Sequence, residues 1–168
     1  TTTPETELTG GKLFRITYSA EGLDLQQLKK GTSDAEKLTL TFYVKSSITG
    51  TYAITFFDDS NSRIIGTTYT ISSANTWEKK TILIAADTTG TITNDNTQGF
   101  KINWTLGTGP SFTGTDNTSW GADADGKLAN GHTAAVTTTN GATWELTGVQ
   151  LEVGEQATPF EHRSFGEE

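Results

Sequence analysis

The residues that could do chemistry in this chain are few and scattered. There is no cysteine, so thiol nucleophiles, thiolate metal ligands and disulfides are excluded. The two histidines are His132, in a Gly-flanked loop, and His162, near the C-terminus. Nucleophilic catalysis needs a nucleophile, a base and an orienting group together, and nothing places a serine near either imidazole. Glu145 and Glu152 are side chains of the type that cleaves glycosidic bonds in pairs. They fall on one strand, well apart and both facing outward, and read as solvated charges. With no convergent set, the chain is expected not to be an enzyme.

Two stretches offer oxygen ligands. Asp123-Ala124-Asp125-Gly126 has the alternating carboxylates and glycine that begin a calcium loop. Ala134 and Ala135 stand where the closing acid would be sought. Asp58, Asp59 and Asn61 form a second cluster. Each stretch fits an Asx turn as well as a structural calcium site. For sugars, the useful group is an exposed aromatic ring, which stacks on the C–H face of a pyranose while polar neighbours take the hydroxyls. Trp120 lies in SWGADADG, close to Asp116, Asn117 and Asp123. It is either a plug anchoring its loop or an open platform. Tyr43 is a second candidate, on the parity opposite Phe42 and Val44, and Phe112 is a third. Trp77, Trp104 and Trp144 occupy strand positions that read as core.

The elements positioning these groups are strands. Thr, Gly, Ser and Asn are abundant, as strands and turns require. Leu38, Leu40, Phe42 and Val44 alternate with Thr39, Thr41, Tyr43 and Lys45, the period of a half-buried strand. The same pattern recurs in 51–57, 63–72, 77–85 and 98–106, with DDSNS (58–62) as a hairpin turn. Leu23 to Lys30 is the one helix-like piece, a turn or two long. Gly107 to Asn140 is polar and Gly-rich, so it is functional or hides weak strands such as 134–138. In WELTGVQLEV (144–153) the apolar parity switches at Thr147-Gly148. A β-bulge at Gly148 would return both halves to one face. The expected fold is all-β: a two-sheet antiparallel β-sandwich of the jelly-roll kind, with about eight or nine strands and a short helix near residues 23–30. Its parts are a lead-in at 1–11, the sandwich at 12–157 and an exit tail at 158–168. The chain has 168 residues, one domain's worth, and no methionine, so it is expected to be a fragment of a longer protein. The net charge is −8, which disfavours nucleic acid and anionic membranes. No apolar run is long enough for membrane insertion.

GVQLEVGEQATPFEHRSFGEE at the C-terminus resembles the closing strand and tail of a jelly-roll module found in bacteriophage tail-fibre and other virion structural proteins. The resemblance continues in LTLTFYVKSSITGTYAITFFDD and YTISSANTWEKKTILIAADTTGT, covering roughly Leu38 to Phe165. That module is similar to the carbohydrate-binding jelly rolls attached to glycoside hydrolases. The resemblance implies a place on the virion, recognition of a host-surface glycan, contacts with other virion proteins and a homotrimer. It also allows one structural calcium ion, without choosing its ligands. Two other readings stay open: a purely structural decoration or assembly module of the virion, and a carbohydrate-binding appendage of a secreted bacterial hydrolase.

Overall fold

The computed structural model describes residues 4, 5 and 7–161; His162 and the rest of the tail lie outside them. Eight strands follow in order: β1 (Leu13–Glu21), β2 (Leu38–Ser46), β3 (Gly50–Asp58), β4 (Arg63–Ile71), β5 (Glu78–Ile84), β6 (Gln98–Thr108), β7 (Gly121–Ala122) and β8 (Trp144–Val153). They form two antiparallel sheets, one in the order β1-β6-β3-β4-β7 and the other β5-β2-β8. The chain is an antiparallel β-sandwich. Alternation explains the core. Leu40, Phe42 and Val44 of β2, Tyr52, Ile54 and Phe56 of β3, and Phe100, Ile102 and Trp104 of β6 are all buried between the sheets. Each such side chain contributes about 1.5–3 kcal/mol on burial. Phe42 meets Tyr69 and Trp104 edge-on, with centroids 5.2 and 6.0 Å apart, the arrangement ring quadrupoles favour.

The segment after β1 is a 3₁₀ helix, Gly22–Leu28, which buries Leu25 and Leu28 against the end of the core. The bulge in β8 is present. Thr41 pairs with Gln150 and Tyr43 with Thr147, so Phe42 alone faces both Gly148 and Val149. Gly148 has φ +57°, a left-handed conformation that glycine adopts without steric cost. Leu146, Val149 and Leu151 consequently share one side, where they line a common groove.

That groove follows from unequal layers. Five strands face three, and β1 and β8 are unpaired edges. Between them lies a largely apolar opening of about 560 Å³, lined by Ile16, Tyr18, Leu25, Trp104, Leu146 and Val149. Tyr18 and Val149 thus remain 55% and 40% exposed.

The 134–138 stretch, offered as a weak strand within the long polar segment, is not a strand. The Thr133 and Ala134 amides both donate to the Thr51 carbonyl, while Ala134 and Val136 enter the core as plugs. The long Gly-rich segment serves as a second layer. Asn117 packs so closely on Gly66 of β4 that a Cβ there would lie 2.1 Å from its Nδ2, and Thr137 does the same at Gly107 of β6. Ala53, Thr55, Ile64 and Asn103, on the outer face of the five-stranded sheet, are buried.

Candidate functional site

Trp120 is a plug. Its Nε1 donates to the Ala85 carbonyl at 2.7 Å, its ring leans on Phe100 at 6.5 Å, and the Lys30 ammonium sits 5.3 Å from its centroid. It is partly buried and packed against the core. Asn117 is buried; its Nδ2 donates to the Lys127 carbonyl at 2.7 Å, and its backbone carbonyl accepts from the Gly66 amide. Asp116 is exposed and closes a local turn through Thr118. Phe112 is half-buried at the end of the 3₁₀ turn Pro110–Phe112. Of these four, Asn117 is buried, Trp120 and Phe112 are partly buried, and Asp116 is exposed.

Of the calcium candidates, Asp58 and Asp59 sit in ion pairs. Lys30 Nζ lies 2.5 Å from Asp58 Oδ2 and 2.9 Å from Asp87 Oδ2, and donates to the Thr89 and Gly90 carbonyls at 3.0 Å each. Asn61 Nδ2 donates to Asp58, and Arg63 forks onto both oxygens of Asp87. Asp59 pairs with Lys101 at 2.7 Å. The oxygens around Asp58 already surround a cation, the ammonium of Lys30, so this cluster does not fit a calcium ion. Asp123 and Asp125 are exposed. Among the described residues no group of three or more His, Asp or Glu is gathered as a metal would need. Burial alone would raise the pKa of Asp87. Hydrogen bonds from Arg63 and Lys30 outweigh it and hold the carboxyl below its ordinary value.

The outer face of β5-β2-β8 is different. Tyr43 points away from the core and is 38% exposed. It pairs with Lys79 on one side and Thr147 on the other. Trp77, just before β5, is 44% exposed, which corrects the reading of it as core. Its ring lies under the Lys45 ammonium at 5.1 Å, and Lys45 pairs with Glu145 at 2.9 Å. After β8 the chain turns back over the same face. The Thr158 amide and hydroxyl donate to Glu152, and the Glu161 amide donates to Gln150. This return sets Phe160, 36% exposed, beside Gly148. A Cβ at Gly148 would lie 3.1 Å from Tyr43 and 3.8 Å from Phe160. Trp77, Tyr43 and Phe160 thus form a row across the three-stranded sheet, edged by Lys45, Lys79, Gln150 and Glu152. Such a shallow surface of rings and polar groups can stack a sugar ring and hydrogen-bond its hydroxyls.

Trp77 and Phe160 escape a reading by residue type, yet parity marks Trp77. Ile82 and Ile84 are the buried positions of β5, and Trp77 falls on the opposite alternation with Lys79 and Leu83. For catalysis, His132 has both nitrogens engaged by backbone: Nδ1 accepts from the Ala53 amide at 3.3 Å, and Nε2 meets the Ala134 carbonyl at 2.9 Å. Glu145 is tied to Lys45 and Glu152 to Thr158. Comparison of the chain with protein-family models, with curated proteins and with solved structures finds no match.

Proposed function

We propose that this chain is a non-catalytic jelly-roll module of a bacteriophage virion, part of a tail fibre or similar surface appendage, that binds host-surface carbohydrate. The phage setting rests on the resemblance of the 38–59, 69–91 and 148–168 stretches to virion jelly rolls. The binding reading rests on one observation, the row of exposed rings Trp77, Tyr43 and Phe160 on a single sheet face. Its site is that face and not the long loop around Trp120. Contacts of this kind are weak singly, and a homotrimeric fibre with many copies per particle would multiply them. The test is a titration against host-surface polysaccharide followed by tryptophan fluorescence. Trp77→Ala and Tyr43→Ala should each weaken binding about tenfold, as truncation of a stacking ring does, with the melting temperature held. Polysaccharide binding that survives both substitutions unchanged would refute the assignment.

A virion assembly module is the second reading, favoured by the apolar opening between β1 and β8. In that case Tyr18→Ser and Val149→Ser would weaken association with other virion proteins and leave the polysaccharide titration alone.

A further inference from the structure

The charge pattern around the ring row narrows the ligand, given the reading of that face as a glycan platform. The chain carries a net charge of −8, and its lysines are mostly spent on neutralising it. Lys12 pairs with Glu5, Lys29 with Glu36, Lys37 with Glu155, Lys80 with Glu78 and Lys101 with Asp59. Lys30 is enclosed by Asp58 and Asp87, and Lys127 donates to the Ala122 carbonyl. On the platform itself, Lys45 is held by Glu145 and by the Trp77 ring. Lys79 alone among the described lysines has neither an ion pair nor a hydrogen bond. It is exposed, and it stands directly across from Tyr43. Glu152, the acid on this face that senses its charge, lies on the far strand, with both carboxylate oxygens taken by Thr158.

A neutral sugar needs rings and hydrogen-bonding groups, and gains little from an unpaired ammonium. An anionic substituent gains a charge-assisted hydrogen bond from it. We propose that the platform selects a glycan bearing an anionic group, with Tyr43 and Trp77 stacking the sugar and Lys79 receiving the anion. The shared chemistry is a carboxylate, as in a uronic acid, or a phosphate, as in a polyol-phosphate cell-wall polymer. The negative charge of the whole molecule does not forbid this. At about 0.15 M salt the Debye length is about 8 Å, so distant carboxylates are screened while the contact at Lys79 persists.

The experiment titrates the intact chain at physiological salt with three probes: an oligogalacturonide, the neutral galactose oligosaccharide of the same length, and a glycerol-phosphate oligomer. One or both anionic probes should bind about three- to fivefold more tightly than the neutral one, the range an exposed ion pair supports. The arm that binds better identifies carboxylate or phosphate. Lys79→Met should erase that preference, bringing the anionic probes down to the affinity of the neutral one, and Lys79→Arg should keep it. Equal binding of neutral and anionic probes, or a preference that survives Lys79→Met, overturns the selection of an anion and leaves the glycan platform standing. No binding to any probe, or binding indifferent to Tyr43→Ala and Trp77→Ala, overturns both.

Discussion

The His132 imidazole accepts the Ala53 amide hydrogen at Nδ1 and faces the Ala134 carbonyl at Nε2, with the Tyr52 ring set edge-on at 5.7 Å. Only the neutral tautomer with hydrogen on Nε2 satisfies both partners. Burial holds its pKa below the ordinary 6.5, and hydrogen bonds to backbone carbonyls offset this only in part. The sign follows from proton counting. Below pH 6.5 the unfolded chain binds the proton that the folded chain resists, so stability is full above 6.5 and declines as pH falls towards the lower folded value. Thermal unfolding between pH 7.5 and 5 should show this decline, and His132→Gln should flatten it. Trp120 and Trp77 differ just as plainly in environment. Trp120→Ala removes a ring that anchors its loop to Ala85 and Phe100 and should cost about 2–3 kcal/mol of stability. Trp77→Ala should cost little, and denaturant titrations of the two variants compare them. These two tryptophans could not be told apart by residue type, since a ring in a polar loop and a ring in a strand both have a buried and an open reading. The deciding signal for Trp77 was its parity against Ile82 and Ile84.

At the level of elements, β8 was the most legible part of the chain. The parity switch at Thr147-Gly148 required an extra residue, and the register supplies it between Thr41 and Tyr43. Gly148→Ala would force a Cβ into φ +57° and to 3.1 Å from Tyr43. We expect a loss of about 1–2 kcal/mol from backbone conformation alone, read as a lower denaturation midpoint. Disturbed Tyr43 and Phe160 should appear together with it as weaker glycan binding. The segment between β6 and β8 was far less legible. Its apolar residues show no period because they meet partners distant in sequence, such as Ala134 and Val136 in the core. One trace of its course was present. Gly66 and Gly107 lie inside strands, where glycine weakens a sheet unless another chain segment approaches closely, and Asn117 and Thr137 are those approaches. The polar, Gly-rich composition of this stretch therefore hid a cover for the five-stranded sheet.

Over the whole molecule, one buried charge cluster joins parts that are remote in sequence. Lys30 follows the 3₁₀ helix, Asp58 ends β3, Arg63 begins β4 and Asp87 follows β5. Two positive and two negative groups balance, so the cluster is neutral. Lys30→Met would leave Asp58 and Asp87 with one cation between them, and breaking a buried pair in this way costs about 3–5 kcal/mol. A denaturant titration should show that loss. Acid attacks the same place from the other side. The Asp87 pKa is held below 3.8, so its contribution is complete above that value and fades as pH falls through the folded value. This step begins below 3.8 and the one due to His132 below 6.5, so a pH series of melting curves should lose stability to His132 first. No sequence pattern announced the cluster, because its four members are spread over 58 positions and only the topology gathers them. Its geometry has a practical corollary. Where Asp58 and Asp87 converge, the neutralising charge is tethered to the backbone through the stem of a side chain, so it cannot be washed out, chelated or starved away. That end of the protein should stay intact in dilute, calcium-poor water, and melting curves with and without EDTA check this.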